Sequence, residues 1–145
     1  MTRDPSHPAG GDVRPSKTLN ISLWVVQALL SVVFVGAGLW KLLTPVPKLA
    51  TMIPWAGEVS EGFLHATGVI DLLGGLGLLL PALTRIKPGL TVLAALGCAI
   101  LQMCAIGFHV SRGEAALTPF NVLLVALSVF IIWGRLYKAP LQPRG

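Results

Sequence analysis

Charge is scarce in this chain. Only 12% of its 145 residues are Asp, Glu, Lys or Arg, about half of the roughly 25% usual in a soluble domain. With 54% hydrophobic residues and a mean hydropathy of +0.76, that shortage argues for lipid as the solvent. Cysteine is almost missing. Cys98 and Cys104 stand on one apolar run, about 240° apart around a helix, so their side chains diverge and exclude a mutual disulfide. There is no C-x-x-C, no metal-ligand spacing, no Gly-rich phosphate loop and no nucleophile elbow. The net charge of +5 comes without a basic stripe interleaved with aromatics, so nucleic acid is not an expected partner.

What the chain has instead is four apolar runs: Ile21–Leu43, Gly62–Leu80, Leu90–Val110 and about Phe120–Trp133. A span needs about 20 residues. The first three suffice, and Ala115, Ala116 and Leu117 can extend the fourth. Asn20 and Ser60 suit N-caps. Pro88 and Pro119 suit first-turn positions, while Pro45 and Pro81 are expected to follow helix ends. Alternating β-barrel patterning is absent. The reading is an all-α integral membrane protein, a bundle of four transmembrane helices over residues 19–137. Residues 1–18, rich in Pro and Gly and holding His7, read as a disordered tail, and 138–145 as a C-terminal tail. The first run is too long for a signal-peptide core and reads as an uncleaved anchor.

Lys and Arg set the expected orientation. One side of a four-span array carries Arg3, Arg14, Lys17, Arg85, Lys87, Arg135, Lys138 and Arg144; the other carries Lys41, Lys48 and Arg112. The bias predicts both termini in the cytoplasm and a multi-pass protein of the plasma (inner) membrane. Trp24, Trp133 and Tyr137 would mark the inner interface, and Trp40 and Trp55 the outer. Glu58, Glu61 and Glu114 fall on the outer side.

Within the runs, polar and small residues recur at steps of three and four, which places them on one helix face. The first run carries Gln27, Ser31, Phe34, Gly38 and Lys41. The second carries Thr67, Gly68, Asp71, Gly74 and Gly75. The third carries Thr91, Ala95, Cys98, Gln102, Ala105, His109 and Arg112, and the fourth Asn121, Val125, Ser128 and Arg135. Close packing through small residues accounts for most of these stripes. It accounts less well for Asp71, a lone carboxylate among apolar residues. A charge at that depth costs at least a few kcal/mol unless it is paired, protonated or wetted.

Counting from the helix ends puts Asp71 and Gln102 roughly 10–14 Å below the outer surface. Lys41, His109 and Asn121 would stand above them, around one outward-opening pocket. Asp71 and His109 are the candidate catalytic groups, His109 because its ordinary pKa suits a proton shuttle. Lys41, Gln102 and Asn121 are the candidate substrate-binding groups. Lys41 can either pair with Asp71 or snorkel to water. His65 points away from the Asp71 face. No residue set suggests a metal, and no cofactor is named by the sequence.

The segments Phe34-Val35-Gly36-Ala37-Gly38-Leu39-Trp40-Lys41-Leu42 and Gly68-Val69-Ile70-Asp71-Leu72-Leu73-Gly74-Gly75-Leu76-Gly77-Leu78-Leu79 resemble the DoxX-like family of small four-helix membrane proteins. The likeness lies in the G-x-x-K end of the first helix and in the acidic residue, often Glu in that family, ahead of a Gly-rich leucine run. His109-Val110-Ser111-Arg112-Gly113-Glu114 and Pro119 resemble the family's third-helix exit and last-helix start. The resemblance covers about residues 20–137. It implies a role as an accessory component or subunit of a membrane redox system, with a quinone or a redox protein as partner. The cysteine pair through which some relatives act is missing here, which speaks against dithiol–quinone exchange. Two other classes stay open: a small enzyme using Asp71 as acid or base on a lipophilic substrate, and a transporter built as a homo-oligomer.

Overall fold

The computed structural model describes residues 14–145, and the expected N-terminal tail, with His7, lies largely outside them. Four helices are long and apolar enough to cross a membrane. They are α1 (Lys17–Leu43), α3 (Glu61–Thr84), α4 (Gly89–Ser111) and α5 (Thr118–Trp133). Between α1 and α3 lie a short helix, α2 (Val46–Met52), and a 3-10 turn, Pro54–Gly57. The fourth span reaches 24 residues by adding a 3-10 turn, Ala115–Leu117, before α5 and a π turn, Gly134–Lys138, after it. Among the described residues there is no strand, and the fold is the expected all-α bundle. Both described ends of the chain lie at one end of it, here the terminal end; α2 lies at the other, the loop end.

The surface and the interior carry the chemistry expected in lipid. Val32, Leu73, Leu93 and Met103 are more than half exposed, while Gln27, Ser31, Asp71 and Ser128 are buried. In hydrocarbon the apolar side chains need no cover, and the polar ones must find partners inside. Two bonds from α1 to α3 show this. Gln27 Nε2 donates to the Leu78 carbonyl at 3.0 Å, and Ser31 Oγ to the Gly75 carbonyl at 2.7 Å. Each uses a lone pair that the helix ladder leaves free. A core of Leu30, Phe34, Leu78, Ala95, Cys98, Leu124 and Ile131 fills the space between the four helices. The buried faces follow the stripes read from the sequence, with Thr67, Gly74, Gln102, Ala105, His109 and Val125 only half-buried.

Two local expectations change. Ser16, not Asn20, caps α1, its Oγ accepting from Leu19 N–H at 3.4 Å. The helix therefore starts a turn earlier, and Asn20 is free to accept from Arg135. Pro81 lies inside α3 rather than after it. Proline forfeits its own N–H bond and crowds the carbonyl four residues earlier, but its own carbonyl still accepts from Arg85 N–H at 2.9 Å, so the helix closes another turn. The segment after α1 is itself folded, and Pro45 follows a helix end as expected. Pro45 ends α1 and also starts α2, where Leu49, Ala56 and Leu64 form a second, fully buried cluster. That cluster fixes the short helix over the loop end of the bundle. Ser60 caps α3 as expected, accepting from Phe63 N–H at 3.2 Å.

Candidate functional site

Close packing of α1 on α3 builds the site. A Cβ on Gly38 would stand 2.6 Å from the Gly68 carbonyl oxygen and 2.8 Å from Leu72 N, and one on Gly75 would stand 2.8 Å from Val35 N. The two backbones touch because these positions carry no side chain. Lys41 follows Gly38 by one turn and Asp71 follows Gly68 by one turn. Lys41 Nζ lies 2.7 Å from Asp71 Oδ2. Of the two fates open to Lys41, the structure selects pairing. The Asp71 side chain is 4% exposed and that of Lys41 16%, so the lysine reaches down from the wetter level.

The pair lies in the wall of a cavity of about 140 Å³. α3 contributes Phe63, Thr67 and Asp71; α4 contributes Gln102, Cys104, Phe108 and His109; α1 supplies Lys41 and the 3-10 turn supplies Trp55. Four of the five site residues expected from the sequence thus share one cavity. The fifth, Asn121, is buried near the start of α5 and is not part of that wall. His65 stands away from it, half-exposed, with Nε2 3.9 Å from Glu61 Oε1.

Trp55 forms the cover. Its ring lies 5.7 Å from Lys41 Nζ and meets Phe108 edge-on at 5.7 Å and His109 at 6.5 Å. An ammonium over an indole face is attracted to the ring's electron density. A charged network at the end of α4 ties this cover down. Arg112 Nη2 lies 2.6 Å from Glu58 Oε2, just after the turn that carries Trp55, and 3.2 Å from Glu114 Oε1. His109 Nδ1 is 2.9 Å from Glu114 Oε2. The hydrogen bond from His109, followed by that from Arg112, holds the Glu114 carboxyl below the usual glutamate range. The bond to Glu58, then that to Glu114, holds the Arg112 guanidinium above its ordinary value.

Sequence reading missed Phe63, Cys104 and Phe108 as lining residues, took Trp55 only as an interface marker, and placed Glu58 and Glu114 only on the outer side. A signal was present. Phe63, Thr67 and Asp71 follow steps of four, as do Cys104 and Phe108, and such steps stack side chains along one face.

The two cysteines have different surroundings. Cys98 is buried in the core and Cys104 is exposed at the cavity. Among the described residues no group of three or more His, Cys, Asp or Glu side chains is placed to hold a metal ion.

Comparison with curated proteins and with solved structures returns no match. The profile of the DoxX-like family matches residues 25–131, a stretch that includes the Gly38–Lys41 and Gly68–Asp71 turns, all four spans in whole or part, and the cavity between them; the chain belongs to the DoxX-like family.

Proposed function

We propose that this multi-pass membrane protein is an accessory component or subunit of a quinone- or thiol-linked redox system of the plasma membrane, with the pocket around Asp71 as its working site. The observation that carries this reading is the Lys41–Asp71 pair in the wall of a cavity within the spans. An ion pair in a bundle of this kind marks function more often than packing. The redox setting comes from the family resemblance.

The cavity's size limits what enters. About 140 Å³ is below the roughly 300–1,000 Å³ of a pocket for a drug-sized molecule, so the site takes a polar headgroup rather than a whole lipophilic molecule. In this reading Lys41 and Gln102 hold the headgroup, and Asp71 and His109 exchange protons with it. Reduction of a quinone consumes protons as well as electrons. The electrons would come from a redox partner protein.

A second reading has its own support. Leu101 belongs both to this cavity and to an apolar groove of about 360 Å³ between α3 and α4. A lipophilic substrate with its head at Asp71 and its tail in that groove would suit a small acid–base enzyme.

The test is Asp71→Asn in cells lacking the native gene. Asn keeps the shape and hydrogen bonding but cannot hold a charge or exchange a proton at neutral pH. The proposal expects the respiratory or thiol-redox phenotype of the deletion to persist although the variant inserts at normal levels. Full complementation by Asp71→Asn would sink the proton-exchange reading. Extraction of the wild-type protein separates the two readings: a bound quinone supports the first, and a different lipophilic compound supports the second.

A further inference from the structure

At the terminal end, far from the pocket, Arg135 is only 3% exposed and, among the described residues, has no carboxylate beside it. Its Nε donates to Gln27 Oε1 at 2.7 Å, and its Nη1 donates to Asn20 Oδ1 at 2.8 Å and to the Ala139 carbonyl at 3.0 Å. All three acceptors are neutral. The remaining nitrogen, Nη2, is buried with no partner. Buried charges are paired or coordinated as a rule, because desolvation is otherwise uncompensated. Nothing on the described chain supplies that charge. Its four acidic side chains, Glu58, Glu61, Asp71 and Glu114, belong to the loop end or to the pocket, whereas Arg14, Lys17, Arg85, Lys87, Lys138 and Arg144 share the terminal end with Arg135.

Arg135 also forms part of the wall of a separate cavity of about 200 Å³, between the start of α4 and the end of α5. The other wall residues include Pro88, Gly89, Val92, Leu136 and Leu141, none of them charged. The first turn of α4 adds the positive end of the helix dipole, although its Leu90 and Thr91 N–H groups already donate to the Lys87 and Pro88 carbonyls at 3.0 and 3.1 Å. A Cβ on Gly89 would meet nothing within 4 Å, so that backbone can be approached. Trp24 and Trp133 stand at this level, each with a cation at its ring: Arg135 at 5.3 Å and Lys138 at 5.8 Å. Such aromatics mark the headgroup region of a bilayer.

We propose that this cavity binds the phosphate of an anionic phospholipid from the leaflet on the terminal side, with Arg135 as its counter-ion. Free phosphate has the same oxyanion chemistry, but the apolar wall of Val92, Leu136 and Leu141 suits the glycerol and first methylenes of a lipid. Basic pockets between spans take anionic headgroups in this way.

The experiment measures thermal unfolding of the full chain in a non-ionic detergent, with added phosphatidylglycerol, phosphatidylcholine or inorganic phosphate. Phosphatidylglycerol should raise Tm on the order of 5 °C, and the other two should not. Arg135→Gln should lose the shift. Because Arg135 also clamps Gln27 and Asn20, Val92→Phe is the companion variant. It fills the cavity without touching the charge, and it should unfold near the wild-type Tm in detergent alone and lose most of the shift. A wild-type protein that responds equally to phosphatidylglycerol and phosphatidylcholine overturns the proposal whatever the variants do. So does an unchanged shift in Val92→Phe. An equal shift from inorganic phosphate alone overturns the lipid assignment.

Discussion

Gly38 and Gly68 meet backbone to backbone across α1 and α3, and each stands one turn before a member of the Lys41–Asp71 pair. The glycines set the distance between the helices, and that distance lets a lysine and an aspartate close to 2.7 Å. Gly38→Ala should therefore act on the site as well as on stability. Its Cβ would lie under 3.0 Å from two backbone atoms, neither able to swing aside. Overpacking of this kind costs about 1–3 kcal/mol. Unfolding in a denaturing detergent series should show that loss, while Gly36→Ala, where a Cβ meets nothing within 4 Å, should behave as wild type. Equal behaviour of the two variants would show that the contact does not set the spacing.

The two partners of the ion pair should not be equivalent. Lys41 is the more exposed and has a long stem that can carry its charge to water. Asp71 has neither route. Removing one member of a buried pair costs about 3–5 kcal/mol when the other charge stays trapped. Lys41→Met, which strands Asp71, should approach that range, and Asp71→Leu should fall well below it. The double variant should recover stability relative to Lys41→Met. Additive losses in this cycle would mean that the two side chains do not interact.

The network of His109, Arg112, Glu58 and Glu114 should hold at neutral pH and open in acid. Glu114 has its carboxyl held below the ordinary value of about 4.5, first by the bond from His109 and then by that from Arg112. A lowered folded-state pKa gives stabilisation that is complete above the unfolded value and lost as pH falls through the folded one. Trp55, packed on His109 and followed closely by Glu58, is the reporter. Its fluorescence should show a step as pH falls below the ordinary glutamate range. Trp55 is distinguished from the other tryptophans by comparison with Trp55→Phe. Glu114→Gln should remove the step. An unaltered step in that variant would place its origin elsewhere.

Orientation has a direct test. The described terminal end carries Arg14, Lys17, Arg85, Lys87, Arg135, Lys138 and Arg144, and the loop end Lys41, Lys48 and Arg112. The bias favours a cytoplasmic terminal end. In a background with Cys98 and Cys104 replaced by Ala, Lys48→Cys should label with an impermeant maleimide added to whole cells. Arg85→Cys should label only after the membrane is opened. The reverse pattern would invert the topology and would turn the Asp71 pocket toward the cytoplasm.

The sequence by itself determined the four spans and the faces they bury. In lipid only a helix satisfies its own backbone, so an apolar run of about 20 residues has one outcome. Steps of three and four then say which side holds Gln27, Ser31, Asp71 and Ser128. Asp71 stood out because a carboxylate has few tolerable places in a span. Tertiary structure alone decided what each polar residue met. Lys41 had two fates of similar energy, and only the contact of Gly38 with Gly68 brought it to Asp71. Asn20 could have capped a helix, but Arg135 claimed its oxygen from 115 residues away. Asn121 shares the buried face of α5, yet α5 contributes no residue to the cavity wall. Trp55 became a cover because Leu49, Ala56 and Leu64 bury together, a long-range packing event that no local pattern announces. Helix periodicity is a local property, set by backbone geometry. Which faces meet, and at what height, depends on side-chain volumes summed over segments distant in the chain.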